Sequence, residues 1–284
     1  MRRALFGLAP AFLALAVGTD PDGDGKPLTA DEILDRAAAA QGGRAIGGPV
    51  KELLLEAESI VYKEKSRVQL DVRQMMKLDG SRKKFRSETE ILKEGASIRA
   101  TDGSRPWQQK GKNVTPLTRV DFPQDLEELE RDIDFLETCA RAFAIENLKG
   151  DGIRFERLPD ESRDGMTAMR LRRLPAPPSN GGGAAATGDA ASALERPLVL
   201  FIEAGTYRLL GVELEESPPD APRRNICFTG RAKNVKIGKA ADETLVVPHK
   251  IALFTRDRLD SETWIDSVEI NPGLDDAAFT MPKK

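Results

Sequence analysis

The amino-acid sequence predicts an α+β protein built mainly of antiparallel sheet, and three observations carry that prediction. From Val50 onward, apolar residues recur with period two in many short segments, the spacing of strands with one apolar and one wet face. One stretch near the middle, 124–148, changes to the three-and-four spacing of an amphipathic helix. A short helix precedes all of this and closes at Gly42-Gly43.

The chain begins with an export signature. Arg2 and Arg3 precede an uncharged run from Ala4 to Val17. The apolar part, Leu5 to Leu15, is too short to cross a bilayer, which needs about 20 residues. Ala14-Leu15-Ala16 and Ala16-Val17-Gly18 place small residues at cleavage spacing. Residues 1–18 therefore read as a cleavable signal peptide, and the mature protein as periplasmic or secreted. No cysteine follows the cleavage region, so no lipid anchor is expected there. No later stretch is long and apolar enough to span a membrane.

Residues 19–28 read as a flexible leader. Asp20, Asp22, Asp24 and Gly25 imitate the start of a calcium loop. The twelfth position is Asp31 instead of the bidentate Glu, and Pro27 interrupts the motif, so an acidic linker is the expectation and no metal is assigned.

Thr29 starts the first helix, where its hydroxyl and the Glu32 carboxylate can form a capping box. Ile33, Leu34, Ala37 and Ala38 make its narrow apolar stripe. In the first strand Leu53, Leu55, Ala57 and Val61 share a face opposite Glu52, Glu56 and Glu58. Val68, Leu70, Val72 and Met76 follow in the second, and Phe85, Ser87, Thr89 and Ile91 in the third. Asp79-Gly80 and Asp102-Gly103 signal hairpin turns. Short strands are expected near 96–101 and 106–110.

Leu126, Leu129, Ile133, Leu136, Ala140 and Phe143 form the apolar face of the long helix, which must lie on a sheet or a partner. Strands then resume at 153–158, 166–174, 198–203, 207–215, 226–235, 247–255 and 264–270. Residues 176–196 are low in complexity and read as a disordered insertion within a hairpin. Residues 29–284 are otherwise expected to form a single domain.

Composition excludes some functions. Charged residues make up 31% of the chain with a net charge of −3, or −5 after loss of Arg2 and Arg3. The signs are mixed, so no basic field for nucleic acid is expected. The single histidine, His249, lies inside an expected strand, and no Gly-x-Ser-x-Gly elbow is present. Nothing assembles a nucleophile with its base, so no catalytic residue and no cofactor is assigned, and the protein is not expected to be an enzyme. Cys139 and Cys227 are the only cysteines. An oxidising compartment permits a bridge between them, while a small buried thiol is the commoner role.

Both ends resemble exported bacterial proteins of the LolA-like superfamily, which includes outer-membrane lipoprotein-sorting factors. The resemblance rests on Leu28-Thr29-Ala30-Asp31-Glu32-Ile33-Leu34-Asp35-Arg36 with Gln41-Gly42-Gly43. Val247-Pro248-His249-Lys250-Ile251 and the closing Val268-Glu269-Ile270-Asn271-Pro272-Gly273-Leu274-Asp275-Asp276 with Phe279-Thr280-Met281-Pro282 add to it. It covers residues 29–62 and 225–284. It implies a strongly curved antiparallel sheet, an incomplete β-barrel, with helices packed on its concave face and acyl chains received between them.

The expected function is an envelope carrier or sensor of lipid or lipoprotein acyl chains. Its expected cavity lining is Val68, Leu70, Met76 and Phe85 from strands and Leu126, Leu129, Ile133 and Leu136 from the long helix. The same residues also suit a filled core. That alternative makes the protein a structural module that meets an envelope protein partner and holds no small ligand.

Overall fold

A computed structural model describes residues 26–282 except 43–45, 65, 79–81, 92–94, 146–147, 149–152, 164, 175–197, 215–222, 233, 239 and 242–244. The expected signal peptide, the calcium-like acidic run, the Asp79-Gly80 turn and the 176–196 insertion all fall outside the described residues.

Helix α1 (Ala30–Gln41) starts at Thr29 with the capping box the sequence predicts. Thr29 Oγ1 accepts from the Glu32 amide, and the Glu32 carboxylate accepts from the Thr29 amide at 2.7 Å. Gly42 ends it in the left-handed region, φ 72°, where glycine pays no steric cost.

Two meanders follow. The first is β1 (Glu52–Lys63), β2 (Ser66–Lys77), β3 (Lys84–Ile91), β4 (Gly95–Thr101), β5 (Pro106–Lys110) and β6 (Asn113–Pro116). Helix α2 (Pro123–Phe143) then leads to β7 (Arg154–Arg163), β8 (Met166–Leu174), β9 (Leu198–Glu203), β10 (Leu209–Leu214) and β11 (Arg224–Thr229). The chain closes through β12 (Asn234–Ile237), β13 (Ala240–Ala241), β14 (Lys250–Thr255) and β15 (Arg258–Ile270), and ends on a 3-10 turn at Asp276–Phe279.

Among the described residues fifteen strands form one open sheet in the order β6-β5-β4-β3-β2-β1-β15-β14-β11-β10-β9-β8-β7. Pairing along this path is antiparallel. The exception lies beside it, where β12 runs parallel to the last residues of β15 and carries β13. Strand β15 joins the two meanders, because it pairs with β1 from Leu53↔Ile270 to Val61↔Ser261 and with β14 on its other side. Bulges interrupt the ladders at Glu56/Ala57, Leu158/Glu161, Leu209/Gly211 and Leu253/Phe254, and bulges bend a strand and raise its twist.

The period-two reading sorts side chains onto two faces. On one face Leu53, Leu55, Ala57, Met76 and Phe85 enter a cluster with Ile33, Leu34 and Ala37 of α1 and Leu129, Leu136, Cys139, Ala140 and Phe143 of α2. Both helices therefore lie on the same side of the sheet. On the opposite face Leu54 and Met75 bury Phe279 from the closing segment. Trp107 Nε1 donates to Phe279 O at 3.0 Å and Arg86 donates to Ala278 O at 2.7 Å. The family-like C-terminal run thus straps the outer face of the first meander.

Several boundaries differ from expectation. Helix α2 ends at Phe143 and not Leu148, yet Ala144, Ile145 and Leu148 stay buried; burial keeps the apolar spacing going after the helix stops. The expected strand 226–235 divides at Gly230, φ 69°, into antiparallel β11 and parallel β12. The strand expected from Tyr207 begins at Leu209, because Tyr207 itself adopts φ 57°. That expected from Val247 begins at Lys250, and that expected from Trp264 begins at Arg258.

Candidate functional site

Helix α2 organises the interior. Pro123 stands in its first turn, where the missing amide costs nothing. Its polar side is tied to the first meander. Asp125 faces Lys110 at 3.5 Å and Gln108 at 3.4 Å, both on β5. Arg99 on β4 pairs with Glu128 and, at 3.0 Å, with Asp132. Burial raises the Asp132 carboxyl to about 6, against the opposing pull of Arg99. Water still reaches 30% of its side chain.

One turn further on, Glu137 is fully buried. Its Oε2 accepts from Lys83, the residue just before β3, and its Oε1 accepts from Arg141 Nη2 at 2.7 Å and Nε at 3.2 Å. A carboxylate can be held there because both oxygens meet cations. Sequence periodicity missed this group. Glu137 looks like one more charge on a solvated face, and its only sequence signal is its place beside Leu136 and Ala140.

The other side of the same turn meets the second meander. Thr138, Arg141 and Ala142 line a hollow with Leu148, Leu198 and Leu200 of β9, and Val212 of β10. The space they leave is small, enough for about one water molecule. Phe143 meets Phe228 of β11 edge-on, with ring centroids 6.3 Å apart. Strand β10 lies close on β11 here, since a Cβ at Gly211 would stand 2.4 Å from Ile226 O.

The eight residues expected to line a cavity divide into two sets. Met76, Phe85, Leu129 and Leu136 are at most 1% exposed and pack against their neighbours. Leu126 and Ile133 are half-buried against that cluster, and Val68 and Leu70 are half-buried outside it. None of the eight touches the hollow at β9 and β10. Val68 and Leu70 belong to a strip on the helix-side face. Register pairs Val68 with Val61 and Leu70 with Ile91, and Val72 follows. All five are half-buried. The apolar face of β1–β3 is thus covered at one end and partly open at the other.

The cysteines lie on opposite sides of the sheet. Cys139 is buried on α2, and burial pushes its thiol pKa up. Cys227 alternates with Ile226 and Phe228 of the helix-side cluster and receives Arg163 Nη2 at 3.3 Å. No disulfide joins them, since a bridge would have to pass through the sheet. His249 is exposed, with Nδ1 3.2 Å from Ile265 O. Among the described residues no helix is long and apolar enough to cross a membrane.

No family model and no curated protein matches the chain. The chain is similar to a domain assigned to outer membrane lipoprotein sorting from Vibrio parahaemolyticus, with 15% identity, 87% of this chain and 97% of that one covered, and a TM-score of 0.46. It is also similar to a LolA superfamily protein from Nitrosomonas europaea, with 12% identity, 89% and 98% covered, and a TM-score of 0.47. The lipoprotein LppX of Mycobacterium tuberculosis is more remote, with 9% identity, 64% and 88% covered, and a TM-score of 0.24. Likeness at this level says nothing of the ligand.

Proposed function

We propose that this is an exported envelope protein that takes up lipid or lipoprotein acyl chains between its sheet and α2, as a carrier or sensor and not as an enzyme. The observation that supports it is the half-open apolar face. Val61, Val68, Leu70, Val72 and Ile91 are left partly wet on the helix-side face, and Leu126 and Ile133 of α2 are half-buried as well. A hydrocarbon chain laid there gains about 25 cal/mol for each Å² of apolar surface it covers.

A concave sheet is part of the proposal, and a comparison of lengths supports it. One turn of α2 meets Lys83 next to β3 on one side and β9 and β10 on the other. Those strands are six spacings apart in the sheet order from β3 to β10, about 29 Å if the sheet were flat. A helix with its side chains is only about 10–12 Å across, which supports a sheet curved around it. Residues 29–284 act as one domain in this reading, preceded by a cleaved signal and a leader.

A second reading has its own observation. Met76, Phe85, Leu129 and Leu136 are buried together in one core cluster, which suits a module that meets an envelope partner through its surface.

One experiment separates the two. Protein purified from its native compartment under mild conditions is examined by native mass spectrometry, alone and as Leu70→Glu and Ile133→Glu variants. Half-buried positions are chosen because a charge at Leu129 would unfold the core. Bound lipid in the parent, reduced severalfold in both variants at unchanged melting temperature, supports the carrier. A parent that carries no lipid and takes up none from added vesicles leaves only the second reading.

A further inference from the structure

The half-open apolar strip reaches one end of the sheet, and the turns at that end carry a surplus of positive charge. Val61 and Val68 face each other two residues before β1 turns into β2, and Lys63 follows Val61 on the same face. The β1–β2 turn and its flanks carry Lys63, Glu64 and Arg67. The β14–β15 turn carries Arg256, Asp257 and Arg258, and the β5–β6 turn Lys110 and Lys112. Register sets these turns at the same end, since Val61 lies opposite Ser261 of β15, Leu70 opposite Ile91, Ile91 opposite Gly95 and Ser97 opposite Lys110. All eight charged residues are exposed. Asp125 pairs with Lys110 and Asp260 with Arg258. Among the described residues Lys63, Arg67, Lys112 and Arg256 form no ion pair, against two acids on the same turns, Glu64 and Asp257. The chain as a whole has a net charge of −3, so this surplus is local. Exposed cations gathered on one side attract an extended anionic surface before contact is made. A cation in line with an apolar row can meet a headgroup and its acyl chain together.

We propose that this end of the sheet docks on an anionic lipid bilayer. Lys63, Arg67, Lys112 and Arg256 meet the phosphate headgroups, and the Val61–Val68 end of the strip turns toward the acyl region. The proposal rests on the reading that the strip accepts acyl chains, and adds to it the surface they come from and the residues that find it. An acidic protein would meet the same charges, but the apolar row that ends among them suits lipid. Each cation near an anionic bilayer strengthens binding by about fivefold, and the attraction fades beyond about 10 Å at 0.1 M salt.

The test is flotation of the whole mature protein with vesicles of phosphatidylcholine alone and of equal parts phosphatidylcholine and phosphatidylglycerol. The parent should float with the anionic vesicles and not with the neutral ones, and should lose most of its binding between about 0.05 and 0.5 M salt. Lys63→Gln, Arg67→Gln, Lys112→Gln and Arg256→Gln should each weaken binding by about fivefold, and the four together should abolish it at unchanged melting temperature. Arg82→Gln with Arg105→Gln removes two exposed cations from the opposite end of the sheet and should leave binding unchanged. Equal binding to both kinds of vesicle overturns the proposal, as does a combined variant that floats like the parent or an equal loss in the opposite-end variant. A parent that binds polyglutamate but no anionic vesicle has an acidic protein as its partner, which overturns it too. Native mass spectrometry of the floated protein keeps this result apart from the acyl-binding reading. Charge-dependent docking with no lipid bound removes that reading and leaves the docking surface. Lipid uptake that the combined variant keeps in full leaves the reading and removes the surface.

Discussion

Asp132 and Asp276 are carboxylates that respond to acid in opposite directions. Burial raises Asp132 to about 6, so the folded state holds its proton more tightly than the unfolded chain. The stability it contributes is present at low pH and is lost as pH rises through about 6. Asp276 is lowered to about 2 by hydrogen bonds from Lys77 and Lys84, so its contribution is present near neutrality and is lost as pH falls below about 4. Melting temperatures taken across this range should therefore rise slightly from pH 7 to 5 through Asp132, an increment that Asp132→Asn removes. The effect is small because water reaches Asp132. A melting curve whose pH 7 to 5 slope is the same in Asp132→Asn contradicts this account. Phe279 tests the outer strap. Its ring is fully buried on Leu54 and Met75, so Phe279→Ala should cost about 3–5 kcal/mol in urea unfolding. A loss under about 1 kcal/mol would mean that the strap adds little.

At the scale of elements, the first helix is fully readable from its sequence. Thr29, Glu32 and Gly42 are local signals acting on local backbone, and each does what its chemistry predicts. Thr29→Ala removes one half of the capping box and should destabilise the protein by about 1 kcal/mol in urea unfolding. Thr29→Ser should leave stability nearly unchanged. Strands β1 to β3 are as legible, because alternation over eight to twelve residues resists accident. The short strands β6, β12 and β13 are not, since four residues or fewer hold too little periodicity to register. The end of α2 was misplaced for the opposite reason. Leu148 keeps the apolar spacing because the core reaches beyond the helix, and spacing reports burial before it reports conformation. The lining residues show the same limit. Val68 and Met76 share one face of one strand at even spacing, yet Met76 is sealed and Val68 is half open. Nothing in β2 distinguishes them; where α2 lies does.

Across the whole molecule, the pairing of β1 with β15 unites segments about two hundred positions apart and turns two meanders into one sheet. Long-range pairing of this kind is invisible to periodicity, which names a face and never a neighbour. The Glu137 group arises in the same way. Lys83 from the first meander meets a helix turn whose opposite side faces the second, so the buried carboxylate gains its second cation only once the sheet and α2 are folded together. Amino-acid order alone was enough to establish the class of fold, the cap and stop of the first helix, and the apolar face of each long strand. These follow from forces acting within a few residues. Contact between distant segments decided that the cysteines stand apart, which part of the apolar face is filled, and that a buried glutamate meets two cations, because burial and charge pairing belong to neighbours in space.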